Sequence, residues 1–139
     1  DKMIFFKNKE NNDDNQLVKI GALLIHAAKI DEDFSQEEEN IIKQTLINFG
    51  AGNKNINEII EKAKKMEESS NQILDFTKEV KNLEENNKIK IVKTLWKIIF
   101  SNKKADIYEA NLMRRLAGLL YIDSKIMGDI KEQIKKENS

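Results

Sequence analysis

Ala27-Ala28-Lys29-Ile30-Asp31-Glu32-Asp33-Phe34-Ser35-Gln36-Glu37-Glu38 and Ile98-Ile99-Phe100-Ser101-Asn102-Lys103-Lys104-Ala105-Asp106-Ile107-Tyr108-Glu109 decide how this chain is read. Each stretch is a helix end, a short polar loop, an apolar residue and then an N-cap residue with Glu three positions later. Ser35 with Glu38, and Asp106 with Glu109, have the capping-box spacing. The cap side chain accepts the amide of the third helical residue, and the Glu reaches back to the cap amide. Phe34 and Ala105 precede the caps as staple residues, Ala105 a poor one. The equal offsets read as one helix–loop–helix unit used twice, against the alternative of two ordinary capped joins.

Working outward, the apolar period is helical throughout, and the chain has no Pro to interrupt it. Leu17, Ile20, Leu24 and Ala28 mark a first helix near 15–30. Ser35 opens a second, which carries Ile42, Leu46 and Phe49 and stops at Gly50-Ala51-Gly52-Asn53, because glycine tolerates the left-handed backbone of a helix C-terminus. Ile56, Ile59, Ile60, Ala63 and Met66 mark a third helix. Ile73, Leu74, Phe76, Thr77 and Val80 mark a fourth. Ile89, Val92, Trp96 and Ile99 mark a fifth. Leu112, Met113, Leu116, Ala117 and Leu120 give a sixth from Asp106, and Ile126, Met127, Ile130 and Ile134 a seventh from Asp123. The expectation is an all-α, compact, bundle-like domain of about seven helices. Its bounds are set at 15–139, behind a flexible segment over 1–14.

The chain has 139 residues, with 24 Lys+Arg against 24 Asp+Glu, one His and no Cys. That length suffices for a core without staples. Net neutrality argues against bulk capture of nucleic acid or of an anionic membrane. The lack of Cys excludes a disulfide framework, a thiolate zinc site and a thiol nucleophile, and a cytoplasmic home is the expectation. The longest apolar run, Ile20 to Ile25, is far short of the ~20 residues of a membrane span. No signal peptide is visible. Asp1-Lys2 before Met3 reads either as a tag remnant or as part of a longer chain. Met3 to Phe6, an apolar plug followed by Lys7 and Lys9, packs on the core or frays, with peripheral membrane contact as the alternative.

The paired segments resemble the TerB family, the tellurite-resistance-protein-B-like domains, and especially its stand-alone bacterial members. The resemblance rests on Ala28-Lys29-Ile30-Asp31 with Glu38, on Leu95-Trp96, on Tyr108-Glu109 and on Arg114-Arg115-Leu116-Ala117-Gly118-Leu119-Leu120, and it covers about residues 17–131. It implies an all-α fold of about seven helices, a link to tellurite and stress resistance, and in some members an association with membrane-tethered co-chaperones. Four positions depart from the family pattern. Glu32 and Lys103 replace the usual glycines, Asn102 replaces the second Asp, and Lys104 stands where an acid is common. The second loop has therefore exchanged its carboxylates for positive charge.

Carboxylates are the chemistry that the chain offers most densely. Asp31, Glu32, Asp33, Glu37, Glu38 and Glu39 lie within nine positions. Such oxygen clusters suit calcium or magnesium, and Asp31-x-Asp33-x-Ser35 opens like a calcium loop. Gln36 and Ile42 then occupy the positions where an EF-hand needs Gly and Glu. The competing reading is that acids at a helix start favour its dipole and solubility. His26 lacks partners at catalytic or metal-binding spacing and reads as a partly buried structural residue. Lys90, Lys93 and Lys97 form a stripe, either a solvated face or a contact for phosphates or an acidic partner. Arg114 and Arg115 are two surface charges, or one of them crosses to the acidic loop.

These readings converge on a non-catalytic interaction module. Asp31, Asp33, Glu37 and Glu38 form an acidic contact surface for an unidentified protein partner, with Arg115 as a counter-charge. The alternative is a divalent-cation sensor or buffer, with Asp31, Asp33 and Glu38 as ligands. Acids gather at the first loop and bases along the fifth helix, so head-to-tail self-association through unlike faces is open to the chain.

Overall fold

The computed structural model describes the backbone of residues 2–31, 34–70, 74–101 and 107–137, and the side chains of 14–30, 34–70, 75–101 and 110–137. These residues form seven α-helices and no strand: α1 (Lys2–Ala28), α2 (Gln36–Asn48), α3 (Ile56–Ser69), α4 (Leu74–Val80), α5 (Glu85–Ser101), α6 (Ile107–Leu119) and α7 (Ser124–Glu137). A 3-10 turn, Lys29–Asp31, follows α1. The all-α architecture expected from periodicity is present, and helices α2 to α7 begin and end close to the positions read from caps and breakers.

α1 departs from expectation in two ways. It begins at Lys2, where the apolar period marks a first helix only from near 15. The stretch from Asn8 to Asn15 contains neither Gly nor Pro, so nothing in it forces a helix to stop. α1 is also not the one-sided helix that Leu17, Ile20, Leu24 and Ala28 suggest. Val18, Ala22, Leu23, Ile25 and Ala27 are buried as well. From Leu17 onward most of the helix surface is apolar, as suits an interior position, and α1 packs on α2, α3, α4 and α5 at once, most extensively on α3. α7 covers α5, while α6 lies against α4 and α7.

Gly21 makes the α1–α3 approach possible. A Cβ at this position would sit 3.0 Å from Cβ of Ala63 and 3.3 Å from a Leu46 methyl. The three residues meet where α1, α2 and α3 converge, and Leu46 and Ala63 are both fully buried. Trp96 is a core residue, stacked on Phe100 at 5.6 Å with the Lys131 ammonium 5.5 Å from its ring centre.

Two helix ends use the same device with different residues. After α2, Gly50 (φ 113°) sits just past the cap residue Phe49, its amide donating to the Ile47 carbonyl at 2.9 Å, while the Ala51 amide donates to Leu46 at 3.0 Å. This is the Schellman pattern. After α6, Tyr121 takes the equivalent place at φ 57°, with its amide on Gly118 and the Ile122 amide on Ala117. A left-handed Tyr costs about 1 kcal/mol relative to glycine. Cation–π contacts to its ring from Lys81 and Lys88, each at 5.9 Å, offset that cost. The buried Lys88 also donates to the Leu120 carbonyl at 3.0 Å, placing a cation at the negative end of α6.

Candidate functional site

The start of α2 is built by its cap. Ser35 Oγ accepts the Glu38 amide at 3.1 Å, and Glu38 Oε1 accepts the Ser35 amide at 2.9 Å. The capping box read from Ser35 and Glu38 is therefore complete. The reciprocal bonds draw Glu38 inward, and its side chain is fully buried. Glu38 is thus placed as a structural carboxylate and not on the open surface.

The neighbouring acids turn elsewhere. Glu37 is exposed on the first turn and has no cationic partner among the described residues. Glu39 accepts Lys64 Nζ at 2.6 Å through one oxygen and lies 3.6 Å from Lys43 through the other. The Lys43 contact has i, i+4 helical spacing and is legible in sequence. The Lys64 contact joins α2 to α3, and no local pattern announces it. Asp31 ends the 3-10 turn, and Asp33 lies outside the described residues, as does the Asp31 side chain. The second loop, Asn102 to Asp106, and the Glu109 side chain also lie outside them, and with them the second capping box and the proposed repetition.

The Lys64 hydrogen bond holds the Glu39 carboxyl below the ordinary glutamate value. Partial burial opposes this, and the charges of Lys64 and Lys43 add to the lowering. The same hydrogen bond holds Lys64 above the ordinary lysine value. Because the folded Glu39 binds its proton less readily than the unfolded one, its stabilisation is complete above about pH 4.3 and is lost as pH falls through the lower folded value. Lys64 contributes the mirror effect, present below about pH 10.4 and lost as pH rises through its folded value. The expected result is that Glu39→Gln melts below wild type at pH 7 and that the two curves converge by pH 3. Thermal melts by circular dichroism across that range check it, and a constant gap would contradict it.

His26 is half-buried, with Nδ1 3.8 Å from Glu67 and its ring 6.2 Å from Phe76. Glu67 also accepts Lys29 at 3.2 Å. The imidazole is thus engaged by the α1–α3 contact, in keeping with a structural role. Arg114 and Arg115 are exposed on α6 without an ion pair among the described residues, and α6 packs mainly on α4 and α7. Among the described residues no group of three His, Asp or Glu is placed to hold a metal ion. Asp31 and Asp33 stand outside that set. No helix of the described residues is long and apolar enough to cross a membrane.

Comparison with curated proteins and with solved structures returns no match. The family described as tellurite resistance protein TerB matches residues 18–132, which takes in every helix from the buried part of α1 to the middle of α7. With most of its length covered by that match, the chain belongs to the TerB family.

Proposed function

We propose that this TerB-family chain is a non-catalytic interaction module, serving in a tellurite-resistance, stress or envelope-associated assembly. It meets a basic protein partner with the acidic turn that leads into α2. The observation that carries this reading is the division among the carboxylates there. Glu38 is committed to the cap and Glu39 is neutralised by Lys64 and Lys43, whereas Glu37 faces solvent. Asp31 and Asp33 stand just before it in the chain. An outward carboxylate can accept charge-assisted hydrogen bonds from Lys or Arg of a partner, about twice as strong as neutral ones. Arg115, exposed on α6, is the counter-charge for an acid on the same partner. A single imidazole already facing Glu67, and the lack of any thiol, support the absence of catalysis.

The alternative assigns Asp31, Asp33 and Glu38 to a calcium or magnesium ion. Glu38 would then divide its oxygens between the metal and the Ser35 amide. Affinity capture with wild type and with Asp31→Asn/Asp33→Asn tests the first reading, and calorimetry with each cation tests the second. Loss of the captured partner in the variant, with no heat from either cation, is the expected result. An unchanged partner removes the acidic turn from the account. Heat accompanied by a metal-dependent rise in melting temperature transfers it to the cation.

A further inference from the structure

A groove of about 420 Å³ runs between α2 and α5, lined on α2 from Ile41, the turn after the Ser35–Glu38 cap, to Phe49. Its α2 wall carries Ile41 and Phe49 with the amide side chains of Gln44 and Asn48. Its α5 wall carries Lys90, Lys93 and Lys97. At the base the hydroxyls of Thr45 and Thr94 meet at 2.9 Å, and each oxygen is also within hydrogen-bond reach of the carbonyl one turn back in its own helix; with one proton apiece, the pair makes two of these three bonds at a time. The base is therefore a fixed helix–helix contact, and side chains line a preformed trough.

The charge in this trough is not balanced. Lys19, Lys29, Lys43, Lys62 and Lys64 each lie beside a carboxylate. Lys90, Lys93 and Lys97 have no carboxylate partner among the described residues, and neither lining wall supplies one. Lys90 rests instead 6.0 Å from the Phe49 ring centre. Like charges at i, i+3 and i+7 on one helix face repel one another. They span about 10 Å along α5 at the helical rise. An occupant that neutralises them needs carboxylates along one edge. It also needs an apolar side chain to sit on Ile41 and Phe49.

We infer that the α2–α5 groove is a second docking surface, which takes an acidic amphipathic helix of a partner protein. The mixed lining favours a peptide over a bare polyanion, because an RNA or a lipid headgroup would leave Ile41 and Phe49 uncovered. This inference does not depend on the acidic turn, since the two surfaces use different residues and opposite charges.

The test uses the full chain and a fluorescein-labelled peptide of repeated Glu-Glu-Leu-Ile units, followed by anisotropy in low salt. Saturable binding is expected, weakening as salt is raised. Lys93→Glu/Lys97→Glu is expected to weaken it at least tenfold, while its circular dichroism melt stays with wild type. Ile41→Gln is expected to weaken binding too without changing the salt dependence. Equal binding by the charge-reversed chain overturns the inference, as does the absence of binding. An RNA oligomer or an anionic phospholipid vesicle that binds more tightly than the peptide, with the same sensitivity to the reversal, overturns it in favour of a polyanion site.

Discussion

Gly21→Leu is expected to lower the melting temperature by about 10 °C or more, and Gly21→Ala by a smaller amount. The reason is the space in front of Gly21. A Cβ alone would meet Cβ of Ala63 at 3.0 Å and a Leu46 methyl at 3.3 Å. The Ala63 carbon is fixed to the α3 backbone, so relief requires moving a helix and not turning a side chain. Overpacking of this kind costs about 1–3 kcal/mol and more for a bulky residue. Alanine is a better helix former than glycine by about 1 kcal/mol, which offsets only part of the clash. A double-mutant cycle isolates the contact. Gly21→Ala/Ala63→Gly is expected to be more stable than the sum of its single changes. Strict additivity would mean that Gly21 is not what sets the α1–α3 distance.

The second large effect is at the α2 cap. Glu38→Ala removes the acceptor of the Ser35 amide and empties a fully buried position. A cost of about 1–3 kcal/mol is expected, from the stranded amide together with the lost volume. Glutamine keeps the acceptor and nearly the shape, and capping boxes use it in place of glutamate. Glu38→Gln should therefore recover most of the loss. Urea unfolding of the three proteins measures both differences. An equal loss in Glu38→Gln would assign the effect to the negative charge instead of the cap.

The contrast between these two sites explains how far the sequence could be read. Ser35-x-x-Glu38 announces itself because a capping box is a local event, completed within four residues, and Gly50 is legible for the same reason. Gly21 in a helical stretch suggests a close helix contact, but the residue that it faces is 42 positions away, beyond any local pattern. The Lys64–Glu39 pair is hidden likewise, whereas Lys43 at i+4 is not. α1 misleads because periodicity ranks its faces without revealing that Val18, Ala22, Leu23, Ile25 and Ala27 are covered too. Tyr121 at a helix end is unreadable because residue type argues against the left-handed backbone that Lys81 and Lys88 help to hold. At the candidate site the composition of the acidic stretch is plain. What composition does not carry is that the cap legible in Ser35 and Glu38 draws the Glu38 side chain wholly inward while Glu37 beside it stays exposed.

That division is also the most direct test of the account. Partner capture and thermal stability are measured in parallel on Glu37→Gln and Glu38→Ala. The prediction is a clean separation. Glu37→Gln should melt within about 0.5 kcal/mol of wild type, as exposed substitutions do, and capture less partner. Glu38→Ala should lose stability and, below its lowered melting temperature, retain the partner. Full capture by a stably folded Glu37→Gln would contradict the claim that the outward acids of this TerB-family chain make its contacts.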